Sequence, residues 1–577
     1  MASDLEKALR DSNLVQSFSG VRTVFGHGPG ISSELRALVI GYAYGYTRRV
    51  LGKKPATFLI GRDPRPTGAA IADAMAHGFL AGAAASGCKL VIMDLGVITT
   101  PLAEAAVRAL SADGGVMITA SHNPIDHNGF KFLTGSSGDR SKSAPVGALL
   151  SAHAMAKVMA DVQGIADGSD GDFEKYARSI SPETIKKEML NPHRERARVL
   201  TERAYLDAMG TDWGVEPHCL KPLVLGPVML DPNGGAGCGI GARVLEHFGV
   251  RVIEINAEVG YPEHAIDTDG IDSASGRHML LRAARAASRH QAHFGVAFDY
   301  DADRGNLVLP GIDEAAIIPP QRVAVFNIAM AIARRKILGG TGPLAVVLSD
   351  ATSLASHRVA AAFGARIFQV ETGEINVVSK MYDLREEGYD VPVGVEGANG
   401  GTVFGSATCR DGLQVALSAA QAESIPEVVD EWMRIGRLMN GGRLSEPHPA
   451  SLRSLVDSMP FNSNHMLKLS SPPMPHGELK RGLEEHFHSV MWPALASRFQ
   501  RYEFQNFEET RMVEARTGDE SGAWRVVMEA PGRSAFVFVR GSRTESGVWR
   551  MIVDTDSPED FAPVNAAANE MFSAATR

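Results

Sequence analysis

Three stretches of this chain repeat one rhythm: an unbroken apolar run, a short polar or glycine-rich loop, an amphipathic run, and a further apolar run. The first contains ATFLIG, the loop GRDPRPTG, AAIADAMAHGFLAGAAA, KLVIMDLG, LAEAAVRALSA and GGVMITA. The second contains PVMLDPNGGAG, IGARVLEHFG, VRVIEINA, MLLRAARAASRH and HFGVAFDYD. The third contains PLAVVLSD, SLASHRVAAAFG, ARIFQVETG, INVVSKMYDLREEG and VPVGVEGANGG. Apolar runs without alternation belong to strands covered on both faces, and the i, i+3, i+4 spacing between them belongs to the covering helices. The expectation is an α/β protein with three tandem related α/β domains, mixed and mostly parallel sheets and right-handed crossovers. Near Glu446 the pattern changes to short alternating strands such as WRVVMEA and SAFVFVRG, which predicts a smaller α+β domain at the C-terminus. The expected boundaries are 1–214, 215–318, 319–445 and 446–577.

A chain of 577 residues is too long for one hydrophobic core, which agrees with several domains. Its net charge of -9 gives no support to a nucleic-acid partner, which calls for a basic face. The four cysteines, Cys88, Cys219, Cys238 and Cys409, are far apart and suggest neither a zinc site nor a disulfide framework. The start, MASDLEKALRDSN, is too polar for a signal peptide, and no apolar run has the length of a membrane span. VAVFNIAMAIA reads as a core helix. The expected location is the cytoplasm, with no membrane partner.

In sheets of this kind ligands sit beyond the carboxyl ends of the strands, so TASHNP, DYDADRG and VEGANGG are the loops to inspect. In DYDADRG, Asp299, Asp301 and Asp303 alternate, and in an extended segment they face one way. Three carboxylates on one face need a cation, and an all-oxygen set suits Mg²⁺. An EF-hand needs glycine where Arg304 stands and a carboxylate where Pro310 stands. Arg304 follows the triad directly, where a guanidinium can grip a phosphate bidentately. Ser121, His122 and Asn123 follow the apolar run GGVMITA and are stopped by Pro124; Lys131 comes soon after. Ser121 lacks the G-x-S-x-G elbow of an acyl nucleophile. Beside a metal site it reads as a phosphoserine, with His122 and Asn123 near phosphate or sugar oxygens and Lys131 bringing a positive charge or a movable proton.

TASHNP followed by NGFK, with DYDADR downstream, resembles the alpha-D-phosphohexomutase family, which includes phosphoglucomutases, phosphomannomutases and phosphoglucosamine mutases. GVRTVFG resembles the family's N-terminal segment and puts Arg22 at its active-site arginine; GRDPRPTG and LDPNGGAG resemble two further signatures. The resemblance implies three related α/β domains (phosphoserine, metal-binding and sugar-binding) and a phosphate-binding fourth. It implies that Ser121 carries the phosphoryl group and helps bind Mg²⁺ with Asp299, Asp301 and Asp303. Lys131, Arg22 and His122 would assist transfer, and Asn123, Arg304, Glu396, Ala398 and Asn399 would face the substrate. The activity implied is interconversion of hexose 1- and 6-phosphates, of glucose or mannose, with a sugar bisphosphate as intermediate and activator.

The recognition loops depart from the family's pattern. The usual G-E-x-S-G is GVEGANGG here, so Glu396 matches while Ala398 and Asn399 stand near the serine position. Glu374 stands where a basic residue is common. The last phosphate loop, RGSRTESG, keeps Arg540, Ser542, Thr544 and Glu545 in register but has Arg543 for glycine and Ser546 for proline. Such a loop forms an anion nest, to which Arg543 adds a charge. A phosphoglucosamine or phosphoacetylglucosamine mutase, a non-catalytic sugar-phosphate-binding protein, and a phosphatase with Asp299 as nucleophile are the alternatives.

Overall fold

The computed structural model describes every residue except 53, 137–143, 191, 221–225, 265–273, 443–451, 514–521 and 542–546. Most of the polar run GSSGDRSKSAP, the expected boundary at 445/446, and Ser542, Arg543 and Thr544 lie outside the described residues.

The first unit holds β1 (Val15–Ser17), β2 (Gly20–Val24), β3 (Ala56–Arg62), β4 (Leu90–Val97), β5 (Gly114–Ile118) and β6 (His127–Thr134). The second holds β7 (Val228–Asp231), β8 (Val252–Glu254), β9 (Gly295–Phe298) and β10 (Gly305–Val308). The third holds β11 (Leu344–Ser349), β12 (Arg366–Val370), β13 (Asp390–Glu396) and β14 (Gly401–Phe404). All three sheets share one order: β4-β3-β5-β6, β8-β7-β9-β10 and β12-β11-β13-β14, with β2 and β1 extending the first beyond β6. In each, the first three strands are parallel and the fourth returns antiparallel. The repeat expected from the sequence is therefore real, with an added element. TASHNP, DYDADR and EGANG are not terminal loops but the tips of equivalent hairpins.

The last sheet is antiparallel, in the order Ser463–Ser470, Val548–Thr555, Arg533–Gly541, Trp524–Ala530 and Arg501–Phe504. The helices His476–His486 and Pro558–Ala575 pack with it. One apolar core runs continuously from the first unit through the third, while the fourth has a core of its own around Trp524, Phe487 and Phe572. The helix Pro320–Ile337 is buried from Val323 to Ala333, as expected of a helix apolar on every face. Among the described residues no helix is long and apolar enough to cross a membrane.

The first sheet is backed by the helices Ser33–Val50 and Gly68–Ala85, which meet with almost no side chain between them. A Cβ at Gly78 would lie 2.4 Å from the Ile40 carbonyl oxygen and 2.5 Å from Ala43 Cβ. Gly78→Val is therefore expected to force the helices apart and cost about 1–3 kcal/mol. Chemical denaturation followed by circular dichroism checks this; an unchanged midpoint would contradict the close packing.

Candidate active site

Ser121 sits at the tip of the β5–β6 hairpin, three residues beyond β5, with φ at 52°, a left-handed conformation that a serine adopts only when its surroundings hold it. The loop GRDPRPTG supplies the hold. The Arg65 side chain is buried and donates through Nη2 to the carbonyls of Ser121 at 2.8 Å and Asn123 at 2.7 Å, and through Nη1 to His127 at 3.0 Å. Asp63 steadies that guanidinium at 3.1 Å and accepts the Thr119 hydroxyl at 2.7 Å. Thr119 in turn accepts the Ser121 N–H at 2.8 Å.

The Ser121 hydroxyl points across to the second unit. It lies 2.8 Å from Asp299 Oδ2 and accepts from Arg304 Nη2 at 3.0 Å. The three aspartates do come together, but not by strand alternation. The strand β9 ends at Phe298, and a tight turn with Ala302 left-handed (φ 58°) gathers the carboxylates so that one oxygen of each lies within 4.8 Å of the others. Asp301 Oδ2 accepts from Thr100 Oγ1 at 2.7 Å, and Lys131 Nζ lies 3.4 Å from Asp301 and 3.4 Å from Asp303. Asp301 Oδ1 and Asp303 Oδ1 are buried with no hydrogen-bond donor. Asp301 and Asp303 thus each keep a carboxylate oxygen without a donor, while both Asp299 oxygens accept from Ser121 or Arg304; an all-oxygen set with orphaned buried carboxylate oxygens fits Mg²⁺.

The charges respond to this crowding. Burial, then Asp303 and Asp301, push the Asp299 carboxyl well above the usual range. Burial acts the same way on Asp303, but Arg410, Lys131 and Arg304 outweigh it and hold Asp303 well below. Burial works against a charged Lys131; Asp301, Asp303 and Glu374 outweigh it and raise its pKa, so this lysine is held as a cation. Burial lowers the pKa of Arg22, against the pull of Asp301.

Ser121, Lys131, Arg22 and Arg304, which surround the aspartates, line one cleft of about 220 Å³. Arg22, Ser121, His122 and Lys131 come from the first unit, and Arg304 comes from the second. Glu396, Ala398 and Asn399 come from the β13–β14 tip, and Arg540 from the fourth unit. His122 Nδ1 meets Arg304 Nη2. The Asn399 side-chain oxygen accepts the Gly401 N–H at 2.9 Å, which leaves its amide nitrogen as the end that can donate. Arg540 lies 3.9 Å from Glu371, with Nε and Nη2 buried and without a hydrogen-bond partner. Asn123 departs from expectation: it is not part of the cleft lining, and its carbonyl serves Arg65 because the turn into Pro124 is what that arginine fastens.

Sequence reasoning gave no role to Arg65, Arg410 or Arg550. Arg65 lies within a quoted motif, but its targets are backbone carbonyls, which carry no residue signature. Arg410 pairs with Asp303, Glu374 and Glu396. Its one sequence signal is the Asp-Gly that follows, where Asp411 caps the helix Gly412–Ser424. Arg550 lines the cleft directly across the strand pair from Arg540.

Comparison with known proteins agrees with this arrangement. Residues 15–144 match the family model for phosphoglucomutase/phosphomannomutase alpha/beta/alpha domain I, and residues 325–431 match that for domain III. The chain is 26% identical over 404 residues to a phosphoglucomutase/phosphomannomutase of Thermococcus kodakarensis, covering 68% of this chain and 75% of that one. It is 28% identical over 421 residues to a phosphoglucosamine mutase of Clavibacter sepedonicus, covering 71% and 79%. The crystal structure of a phosphoglucomutase/phosphomannomutase family protein from Burkholderia thailandensis superimposes with a TM-score of 0.61 over 97% of both chains at 18% identity, a likeness of fold. The two family models fall on the units that carry Ser121 and Glu396: these two stretches belong to the phosphoglucomutase/phosphomannomutase domain families, and the fold of the chain is matched nearly end to end.

Proposed function

We propose that the protein is a phosphohexomutase that interconverts hexose 1-phosphates and hexose 6-phosphates through a phosphoryl group carried on Ser121. The observation that carries this reading is the Ser121 hydroxyl, 2.8 Å from the aspartate triad and 3.0 Å from Arg304 in a cleft lined by all four units. Phosphoryl transfer makes few covalent demands on a protein; it depends on alignment and on neutralising charge spread over the transferring group. Asp299, Asp301 and Asp303 would hold Mg²⁺, which supplies charge neutralisation at the Ser121 phosphate. Arg304 grips the same phosphate and fixes the His122 ring. Lys131 and Arg22 add positive charge, and Lys131, with Arg22 and His122, assists proton transfer. Arg540, with Ser542, Arg543 and Thr544, would hold the phosphate that is not reacting.

The cycle begins when the free hydroxyl of a sugar monophosphate takes the phosphoryl group from the phosphoserine; the P–O bond to Ser121 breaks, and the proton lost by the sugar hydroxyl is balanced by the one that restores the Ser121 hydroxyl. The resulting bisphosphate turns over in the cleft and returns its other phosphoryl group to Ser121. A sugar bisphosphate therefore also primes an unphosphorylated enzyme. Glucose or mannose is the first reading for the sugar. Glucosamine is the second, favoured by the relative named phosphoglucosamine mutase. We place the protein in the cytoplasm, where its four free thiols stay reduced.

Three outcomes are expected. ³¹P NMR of the protein with Mg²⁺ and a trace of sugar bisphosphate will show 6-phosphate growing from at least one of glucose, mannose, glucosamine or N-acetylglucosamine 1-phosphate. Free phosphate growing instead would favour a phosphatase. Ser121→Ala will lower turnover by about a thousandfold or more while the fold persists; retained turnover rules Ser121 out as the carrier. Asp301→Asn will weaken Mn²⁺ binding, read by electron paramagnetic resonance, by more than about tenfold, and an undisturbed Mn²⁺ titration would remove the triad as the metal site.

A further inference from the structure

Arg410 occupies a place for which a single side chain is unusually well supplied with opposite charge. Its Nη2 donates to Asp303 Oδ2 at 2.5 Å and its Nη1 to Glu396 Oε2 at 2.8 Å. Its Nε lies 3.0 Å from Glu374 Oε2, as a close ion pair and not a directed hydrogen bond. The Arg410 backbone N–H donates to that same Glu374 oxygen at 3.2 Å. The three carboxylates come from three segments: the metal turn, the start of the helix Glu374–Glu386, and the end of β13.

The arginine itself is firmly seated. Asp411 donates its N–H to the Thr402 carbonyl at 2.9 Å, and its side chain caps the next helix and accepts the Tyr205 hydroxyl at 2.8 Å. Gly412 donates to the Ala302 carbonyl at 3.2 Å. A Cβ at Gly401 would lie 2.3 Å from Arg410 Cδ, so β14 leaves room for this stem only because it has no side chain there.

Glu374, Glu396 and Arg410 all line the cleft, beside Asn399. Glu374 is 6% exposed, and its Oε1 is buried without a hydrogen-bond partner. Two buried carboxylates gathered at one guanidinium on the lining of one cleft repel each other. The guanidinium paired with both offsets that repulsion and fixes the direction of their carboxylate oxygens, which are hydrogen-bond acceptors. The result is a wall that reads hydrogen-bond donors.

We propose that Arg410 is the positioning residue that determines sugar specificity: anchored on Asp303, it fixes the Glu374 and Glu396 carboxylates to accept hydrogen bonds from donor substituents of the sugar ring, hydroxyl or amine. The proposal rests on the mutase reading. A lysine cannot replace this arginine, because a compact ammonium does not span three separate carboxylates.

The test uses the full-length protein with Arg410→Ala and Arg410→Lys, each first compared with the unchanged protein by thermal melting. Conversion of glucose 1-phosphate and of glucosamine 1-phosphate is then followed in the presence of Mg²⁺. The expected result for Arg410→Ala is a fall in kcat/KM of about tenfold or more, carried mostly by KM, with the preference between the two sugars shrinking toward parity. Added guanidinium should restore the loss, since the vacated space opens on the cleft. Arg410→Lys should show the same rise in KM and no response to guanidinium. The sugar whose advantage collapses tells whether the wall reads a hydroxyl or an amine. The proposal is overturned if Arg410→Ala keeps its KM and sugar preference, or if it melts normally and guanidinium restores nothing. Should Arg410→Ala melt early, Arg410→Lys decides, and an unchanged KM there overturns it. Unchanged protein that converts neither these nor any other sugar phosphate removes the mutase reading and this proposal with it. Conversion with both variants unaffected removes this proposal alone.

Discussion

Gathering Asp299, Asp301 and Asp303 so that their oxygens lie within 4.8 Å, with all three side chains buried, sets like charges against one another where water cannot screen them. The surroundings answer from different parts of the chain. Lys131 and Thr100 reach in from the first unit, Arg304 from the turn itself, and Arg410 from the third unit. Because each partner must arrive at hydrogen-bonding distance, the triad fixes how the first three units face each other. The same lattice places Ser121 against the second unit, so the alignment of the carrier is a by-product of charge compensation.

The repeated topology explains why the reactive groups meet. In each of the first three sheets the chemistry lies at the turn between a third, parallel strand and a fourth, antiparallel one. Each hairpin tip stands beyond the carboxyl ends of its sheet, the usual place for a ligand in open α/β folds. Three copies of one architecture thus bring a serine, a metal turn and a carboxylate wall to one cleft.

Much of this was legible in the sequence, and the gaps have physical reasons. The unbroken apolar runs predicted the parallel strands, and from SHNP, NGFK and DYDADR the residues Ser121, His122, Lys131 and Arg304 line one cleft. The returning strands β10 and β14 were missed because GNLV and GTVF are short and show no alternation. The aspartates were expected to align by strand periodicity; the structure reaches the same gathering through a left-handed Ala302, which a single sequence does not announce. Glu374 was visible as a reversed charge, but its partner was not: Arg410 lies 36 residues further along, and only the folded chain joins them. Asn123 misled because its useful group is its carbonyl, which every residue has. The phosphate loop at Ser542, Arg543 and Thr544 lies outside the described residues, leaving Arg540 as its structural trace.

The separate core of the fourth unit has a further consequence. That unit meets the third through a small apolar patch in which Phe536, Phe538 and Ile552 pack against Ala351 and Ala398, and through polar contacts such as the Leu354 N–H with Asp554 and the Glu509 N–H with Glu371. The cleft is therefore built across a seam between two bodies, each able to keep its own interior dry when the seam opens. A ligand that touches Arg540 on one side and Ser121 on the other adds contacts across that seam and so stabilises its closed form by mass action. In such a molecule substrate occupancy and mechanical integrity are one equilibrium: the ligand is the missing part of the interface.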